Sequence, residues 1–253
     1  MVKRVIINSD DFGITEGVTI GTLHSHTDGV LTSTTCMMNM PFAEFALNLA
    51  KDYPDLGVGI HLVFTMGRPL IEGAKSFTDA DGNFRKLNTY TFDEASKRVI
   101  TEADPDELYA EWKAQLERFI AVAGKKPTHI DSHHHSHTFV NNIEVAMRLA
   151  EEYDLPIRQT EPFMDHYEFI PMVGSFYGDE LTNDSLIDLM KNSDAHTIEI
   201  MCHPGYVDQR ILDLSKYNLP RAKEMEILRS DEVKQFVKDN GIELVTYAVA
   251  KKK

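Results

Sequence analysis

The sequence predicts an α/β fold, with mainly parallel strands arranged as a (β/α) barrel. Strand-like and helix-like segments alternate along the chain, which is typical of a parallel sheet covered by helices. Several strand-like segments end, or nearly end, in an aspartate or a histidine, as expected where functional groups gather at the carboxyl ends of parallel strands. The chain has 253 residues, of which 42% are hydrophobic. This is enough for one domain with a substantial core, so we expect a single domain over residues 1–253.

The first third of the chain is predicted to form the element order βαβαβ. Val5-Ile6-Ile7 is a short β-branched run that predicts a buried strand. The later elements of this stretch are a helix to about residue 27, a strand over 30–38, a helix over 41–51 and a strand over 57–64. Residues 65–90 are rich in turn residues and too long for an ordinary connection, so we expect a lid or binding loop there.

Helical and strand-like segments continue to alternate after that loop. Trp112, Leu116, Phe119 and Ile120 recur at helical spacing, which is more typical of a core face than of a ligand platform. The predicted elements are helices over 91–100 and 105–123, a strand from residue 128, a helix over 141–153, a strand from residue 157, a strand over 198–201, helices near 220–229 and 231–239, and a closing strand over 242–247.

Charge, hydropathy and cysteine content exclude several classes of protein. The formal net charge of −14 argues against nucleic acid or an anionic membrane as partner. No segment reaches the roughly 18 uninterrupted apolar residues of a membrane span, and the first residues lack a secretory signal, so we expect a cytoplasmic protein. Cys36 and Cys202 do not suggest a disulfide framework. Cys202 could be a ligand or nucleophile beside His203, but we expect a buried structural thiol.

Five of the eleven histidines lie within nine residues: His129, His133, His134, His135 and His137. Such density predicts a metal site, because imidazole is a common zinc ligand and adds little to packing. A purification tag would be terminal and unbroken, unlike this segment. If the strand continues through the cluster, the odd-numbered residues point one way and His134 the other. Asp131 is then placed to accept a hydrogen bond from a neighbouring imidazole.

Three other strand ends carry candidate functional groups. The predicted first strand leads into the adjacent carboxylates Asp10 and Asp11, which repel each other. A shared cation would relieve this repulsion. Alternatively, one carboxylate binds metal and the other acts as a base. A helix cap is the alternative interpretation. His61 lies inside one apolar run and His203 follows another, before a Pro-Gly turn. A lone histidine in such a run is more often a core residue than a ligand.

Six segments, in order over essentially the whole chain, resemble the YdjC-type carbohydrate deacetylases, most closely the bacterial chitooligosaccharide (diacetylchitobiose) deacetylases. They are Asn8-Ser-Asp-Asp-Phe-Gly13, Thr32-Ser-Thr-Thr35, Gly59-Ile-His61 with Thr65-Met-Gly-Arg-Pro-Leu70, Lys126-Pro-Thr-His-Ile-Asp-Ser-His-His-His-Ser-His137, Phe176-Tyr-Gly-Asp-Glu180 and Glu199-Ile-Met-Cys-His-Pro-Gly205. The resemblance implies a distorted barrel related to polysaccharide deacetylases, a divalent metal such as Mg²⁺ or Zn²⁺, removal of N-acetyl groups from amino sugars, and often a homodimer. Ser136 stands where the family often has an apolar residue.

Carried onto matching positions, the resemblance implies Asp11, His61 and His133 as metal ligands and Asp10 as the catalytic base. One carboxylate and two imidazoles leave room for water and for an acetamide oxygen, which suits this chemistry. We choose His203 as the general acid for the leaving amine, although its place before a Pro-Gly turn is equally consistent with a structural role or a sugar contact. Side chains beside the motifs that could contact the sugar, each with packing as the alternative, are Phe64, Arg68, Tyr177 and Tyr206.

Other classes of protein share parts of this pattern. His129-Ile-Asp131 mimics an element of non-haem iron oxygenases, but those sites sit on antiparallel folds. A metal-dependent phosphoesterase on a barrel would be expected to use more ligands and basic phosphate-binding groups. A non-catalytic metal-binding or sugar-binding protein would not need a second carboxylate beside the ligand. The sequence leaves open which metal is bound, and whether the sugar is diacetylchitobiose, its 6-phosphate or a longer chitooligosaccharide.

Overall fold

The computed structural model describes residues 1–158 and 167–252. In this part of the chain, seven strands form the main sheet: β1 Arg4–Phe12, β2 Ser33–Cys36, β3 Gly57–Leu62, β6 Ile130–Ser132, β7 Met172–Val173, β8 Thr197–Cys202 and β9 Glu243–Leu244. All pairs in this sheet are parallel, in the order β6-β3-β2-β1-β8-β7, and β9 pairs with the start of β1. The sheet curls into a half-barrel with helices packed against it, which confirms the predicted fold class.

The helices mostly follow the predicted positions. They are α1 Glu16–Thr27, α2 Ala43–Ala50, α3 Pro105–Ala123, α4 Ile143–Tyr153, α5 Asn183–Lys191, α6 Gln209–Leu214, α7 Leu219–Leu228 and α8 Asp231–Asp239. Asp104 caps α3 by accepting the backbone N–H groups of Asp106 and Glu107, and Gly124 ends it with a φ of 72°. Neither α5 nor α6 was predicted from the sequence. No helix of the described residues is both long enough and apolar enough to cross a membrane.

Two predicted elements differ from the structure. Residues 91–100 form a hairpin of β4 Thr91–Asp93 and β5 Arg98–Ile100 rather than a helix. The Asp93 carboxylate accepts the backbone N–H groups of Ala95 and Ser96, which stabilises a turn between β-forming residues. The closing strand is short, and a 3₁₀ turn over Tyr247–Val249 follows it. Ile157 forms a parallel bridge to Ile130, and the continuation of the strand predicted from residue 157 lies outside the described residues.

The core of α3 and the strand register together position the candidate residues. Trp112, Leu116 and Phe119 are fully buried, as the spacing predicts, and the Trp112 indole donates to the Val63 carbonyl over 3.2 Å. Pairing of β1 with β8 brings the end of β1 beside the residue after β8. Pairing of β3 with β6 sets His61 opposite Asp131. The carboxyl ends of four strands therefore meet at one edge of the sheet.

Candidate active site and metal centre

The end of β1 places Asp10 and Asp11 on the same cavity although they are neighbours in a strand. Neighbouring side chains in a regular strand point to opposite faces. Here the register against β2 shifts between Ser9 and Phe12, and Asp11 has a φ of 67°, in the left-handed region that aspartate tolerates better than most residues. This local irregularity turns both carboxylates toward one reaction centre.

Asp11, His61 and His133 form a compact set of metal donors. Asp11 Oδ1 lies 2.9 Å from His133 Nδ1 and 3.4 Å from His61 Nε2. One donor atom from each residue lies within 4.8 Å of the others, and all three side chains are buried. His133 Nε2 is also buried, with no hydrogen-bond partner among the described residues. Two imidazole nitrogens and one carboxylate oxygen fit a divalent cation that keeps open positions, as hydrolytic metal sites require.

Asp131 orients His61 from behind. Its carboxylate accepts a hydrogen bond from His61 Nδ1 over 2.7 Å and another from Thr35 Oγ1 over 2.9 Å. Burial lowers the pKa of His61, but the carboxylates of Asp131 and Asp10 outweigh it and raise that pKa to about 10. The sequence predicted that Asp131 accepts a hydrogen bond from a neighbouring imidazole, and the structure shows that this imidazole is His61 of the adjacent strand.

Asp10 is bound by an arginine that the sequence analysis did not predict. Arg158 donates from both terminal nitrogens to the Asp10 carboxylate, over 2.6 and 2.8 Å, and Asn8 Nδ2 donates over 3.0 Å. Burial raises the pKa of Asp10, yet the adjacent Arg158 guanidinium outweighs burial and lowers it. Asp10 is therefore ionised at neutral pH and able to accept a proton.

Arg158 is itself held by another buried carboxylate, that of Glu199. Its Nε atom donates to Glu199 Oε1 over 2.8 Å, and the Tyr247 hydroxyl donates to the other Glu199 oxygen. A charged residue inside the apolar run of β8 was the available sequence signal for Glu199. A single arginine such as Arg158 gives no such signal, because most arginines in a sequence are on the surface.

His203 follows β8 and lines the same cavity. Its backbone N–H donates to Glu224 Oε2, and its buried Nδ1 atom has no hydrogen-bond partner among the described residues. Burial lowers the pKa of His203 to about 4, despite the opposing effect of Asp10 and Asp11. The imidazole is therefore neutral at pH 7 before reaction.

The histidine cluster does not continue as a strand. β6 ends at Ser132, and residues 133–138 form a 3₁₀ turn in which His134 and His135 have φ values of 56° and 53°. The expected alternation is therefore wrong: His134 lines the cavity and its ring centroid lies 3.9 Å from that of His133. The Nδ1 atom of His134 shares a 2.8 Å hydrogen bond with Thr65 Oγ1.

Two other histidines of the cluster, His129 and His137, are buried behind the cavity, whereas His135 lines it. The His129 ring stacks on Tyr247 with centroids 3.8 Å apart. His137 shares hydrogen bonds with Ser132 Oγ and with the Arg158 carbonyl, over 2.5 and 3.1 Å. Burial lowers the pKa of both histidines to about 3, so both are neutral packing residues.

The cavity at this edge of the sheet has a volume of about 360 Å³. Carboxylates, imidazoles and Arg221 form its polar lining, while its apolar lining comes from Leu87, Gly174, Tyr177, Met201 and Tyr217. Arg221 donates from Nη2 to Asp11 Oδ2 over 2.5 Å, so this buried arginine of α7 also holds a metal-ligand candidate in place.

Of the four expected sugar contacts, only Tyr177 lines the cavity. Phe64 is fully buried among aromatic rings, including Phe77 and Trp112, and belongs to the core, which corrects that expectation. The Arg68 guanidinium donates to the Asp81 carbonyl over 2.6 Å, within the 65–90 loop. The Tyr206 hydroxyl shares a 2.8 Å hydrogen bond with His24 on α1. Arg68 and Tyr206 therefore point to neighbours outside the cavity.

The 65–90 loop reaches the cavity through Leu87, which lies in a 3₁₀ turn over Leu87–Thr89. Two glutamates of α3 fix the first part of the loop. Glu111 accepts the backbone N–H groups of Leu70 and Ile71, and Glu107 accepts those of residues 75 and 76. The loop is thus attached at its base and contributes one apolar side chain to the candidate site.

Comparison with known proteins gives matches over nearly the full chain. The model of the YdjC-like protein family matches residues 4–239. A carbohydrate deacetylase of Brevibacillus brevis is 41% identical over 97% of this chain and 98% of that protein. A carbohydrate deacetylase of Clostridium beijerinckii is 40% identical over 96% of this chain and 98% of that protein.

Solved structures extend the comparison to the fold. A crystal structure from Enterococcus faecalis V583, described as a candidate cellobiose-phosphate cleavage protein, is 33% identical, with a TM-score of 0.84 over 98% of both chains. A family 4 carbohydrate esterase from Streptomyces lividans in complex with acetate has a TM-score of 0.55 at 11% identity, over 99% of this chain and 97% of that one. At that identity the likeness shows a shared fold.

Proposed function

The chain belongs to the YdjC-like protein family, and from that premise we propose that it is a metal-dependent deacetylase that removes an N-acetyl group from an amino sugar. Its relatives named carbohydrate deacetylases support the class of reaction. One observation carries the proposal: an ionised carboxylate, Asp10, adjoins a buried donor set of Asp11, His61 and His133. A purely metal-binding site has no need of that additional, arginine-bound base.

The donor set favours a transition metal such as Zn²⁺ over Mg²⁺, because imidazole suits zinc whereas Mg²⁺ prefers oxygen ligands and water. When bound there, a divalent cation supplies Lewis acidity toward a water molecule and the acyl oxygen. His61 Nε2, His133 and Asp11 Oδ1 would hold it, with Asp131 and Arg221 fixing two of these ligands from behind.

The residues of the chain account for the proton transfers of amide hydrolysis. Asp10, ionised and fixed by Arg158, accepts a proton from the attacking water. His203, neutral at rest, receives that proton from Asp10 and donates it to the leaving nitrogen, and its lowered pKa makes it a ready donor. One proton leaves the water and one arrives on the amine, so the products are acetate and the amino sugar.

The cavity also supports a small substrate. A volume of about 360 Å³ falls in the range of small-molecule sites. Tyr177 is the proposed sugar contact among the residues singled out from the sequence. We infer diacetylchitobiose or a short chitooligosaccharide as substrate, with the phosphorylated disaccharide as a further member of the same class.

The test is acetate release from a panel of N-acetylated sugars by the zinc-loaded protein: N-acetylglucosamine, diacetylchitobiose, its 6-phosphate and triacetylchitotriose. We expect equimolar acetate and primary amine from at least one of them. Asp10→Asn, loaded with the same metal, is the matched control and should be nearly inactive. Phosphate release from a generic phosphomonoester, with no acetate from any sugar, would instead support a phosphoesterase.

A further inference from the structure

Two tyrosine rings form a stacked pair on the cavity. The centroids of Tyr177 and Tyr217 lie 3.9 Å apart with an interplanar angle of 11°, and both rings meet the His203 ring edge-on at 5.6 and 5.5 Å. Tyr177 is 52% exposed, so the outer surface of the pair is open to a ligand. Aromatic rings offer a large apolar area with little conformational entropy to lose, which suits the C–H face of a pyranose.

The hydroxyl of Tyr217 is fixed by two hydrogen bonds. It accepts the backbone N–H of Gly178 over 3.1 Å and donates to Glu224 Oε1. Gly178 adjoins Tyr177 and has a φ of 126°, a conformation that residues with a side chain rarely adopt. The hydrogen bond from the Gly178 N–H therefore links the chain segment that carries Tyr177 to the hydroxyl of Tyr217.

Glu224 joins the tyrosine pair to the strand end that carries His203. This carboxyl is fully buried on α7, and its second oxygen accepts the His203 backbone N–H. Arg221, one turn earlier on the same helix, donates to Asp11. One helix thus fixes residues on both sides of the cavity.

We propose that Tyr217 is a substrate-binding residue: Gly178 and Glu224 fix it so that it and Tyr177 hold a pyranose ring of the substrate beside His203. Glu224 is a positioning residue that acts through Tyr217. This inference rests on the proposed deacetylase function for its substrate class. The inference gives a role to three residues to which the sequence motifs assign none: Tyr217, Glu224 and Gly178.

The first experiment measures kcat and KM of the zinc-loaded enzyme with diacetylchitobiose. Loss of the stacking ring in Tyr177→Ala should raise KM about tenfold while kcat stays within about threefold, since the ring contributes to binding rather than to proton transfer. Tyr217→Phe keeps the ring but loses both hydroxyl bonds, and should raise KM about threefold. Tyr206→Phe, a tyrosine bonded outside the cavity, is the matched control and should leave both constants unchanged.

The second experiment separates Glu224 from a general structural role. Glu224→Gln should keep KM near the wild-type value, because an amide can still accept from one partner and donate to the other. Glu224→Ala should raise KM as Tyr217→Phe does, and the double variant should be no worse than Glu224→Ala, because both changes break the same contact. Additive KM effects in this cycle, or a fall in kcat with KM unchanged, would overturn the proposal.

A binding measurement distinguishes failure of the inference from failure of the proposed function. Calorimetric titration of diacetylchitobiose into zinc-loaded Asp10→Asn, with and without Tyr177→Ala or Tyr217→Phe, needs no turnover. A Kd that rises with each tyrosine change supports the sugar-holding pair even if no acetate is released. An unchanged Kd, or no binding to the Asp10→Asn protein, rejects it.

Discussion

His61 Nδ1 donates to Asp131 Oδ1 over 2.7 Å, which leaves His61 Nε2 facing Asp11. This hydrogen bond selects the imidazole nitrogen that is available to a cation and fixes the plane of the ring. Thr35 Oγ1 donates to the same carboxylate, so buried groups from the two strands that flank β3 together orient His61.

Asp131→Asn should weaken Zn²⁺ binding by about 10- to 100-fold, the usual effect of losing a carboxylate behind a ligating histidine. Competition with a chromogenic chelator measures the affinity. Asp10→Asn, which removes a neighbouring buried carboxylate outside the donor set, is the control and should bind zinc nearly normally. Equal zinc affinity in Asp131→Asn and the wild type would contradict the orienting role.

Asp11→Asn, His61→Ala and His133→Ala should each lose bound metal, because each removes one of three ligands. Elemental analysis of the purified proteins gives the metal content. His134→Ala is the control for a neighbouring histidine, since His134 lines the cavity but does not belong to the donor set. A full complement of metal in any of the three variants would exclude that residue as a ligand.

Asp10→Asn and His203→Ala should each retain metal and lower kcat by roughly 10²–10⁴, the scale of general acid–base catalysis. The measurement is acetate release at saturating sugar, with metal content determined on the same samples. His196→Ala, an exposed histidine preceding β8, is the control. Undiminished turnover in His203→Ala would assign the acid to another group, with His135 as the next candidate on the cavity.

Glu224 should make the free energy of unfolding depend on pH. Burial raises the pKa of Glu224 from 4.5 to about 7, so the folded protein binds this proton more tightly than the unfolded chain does. The protonated carboxyl therefore stabilises the fold fully below about pH 4.5, and this contribution, about 3 kcal/mol, is lost as the pH rises through about 7.

Glu224→Gln mimics the protonated form and should remove this dependence. Relative to wild type, the free energy of unfolding of the variant should rise between pH 4.5 and 8, as measured by urea denaturation. Glu226 is exposed on the same helix, so the control variant Glu226→Gln should show the same pH dependence of unfolding as the wild type. A wild-type minus Glu224→Gln difference that does not vary with pH would contradict the raised pKa.

Leu87→Ala should raise KM or change the preferred sugar while metal stays bound, because Leu87 is the side chain that the 65–90 loop places on the cavity. Kinetics on the sugar panel measure the change. Asn88→Ala, at the exposed neighbouring position, is the control. Identical sugar preferences in Leu87→Ala and the wild type would argue against a lid function.

The sequence by itself determined the fold class and identified several of the residues that meet on the cavity. Asp10, Asp11, His61 and His203 follow or end apolar β-branched runs, and the carboxyl ends of parallel strands converge whatever the intervening loops do. The helical spacing of Trp112, Leu116 and Phe119 likewise predicted a buried face. These features are local patterns with a fixed period, which a single sequence carries in full.

Only the tertiary structure decided which side chains support that site. Arg158, Arg221 and Glu224 are buried ionisable residues with distant partners, and in sequence each resembles an ordinary surface charge. The alternation expected through the histidine cluster was wrong because a 3₁₀ turn begins at His133. The 91–100 segment became a hairpin because an aspartate-capped turn outweighed its helical propensity. Burial and pairing of charge are properties of contacts between segments far apart in the chain, so no local period encodes them.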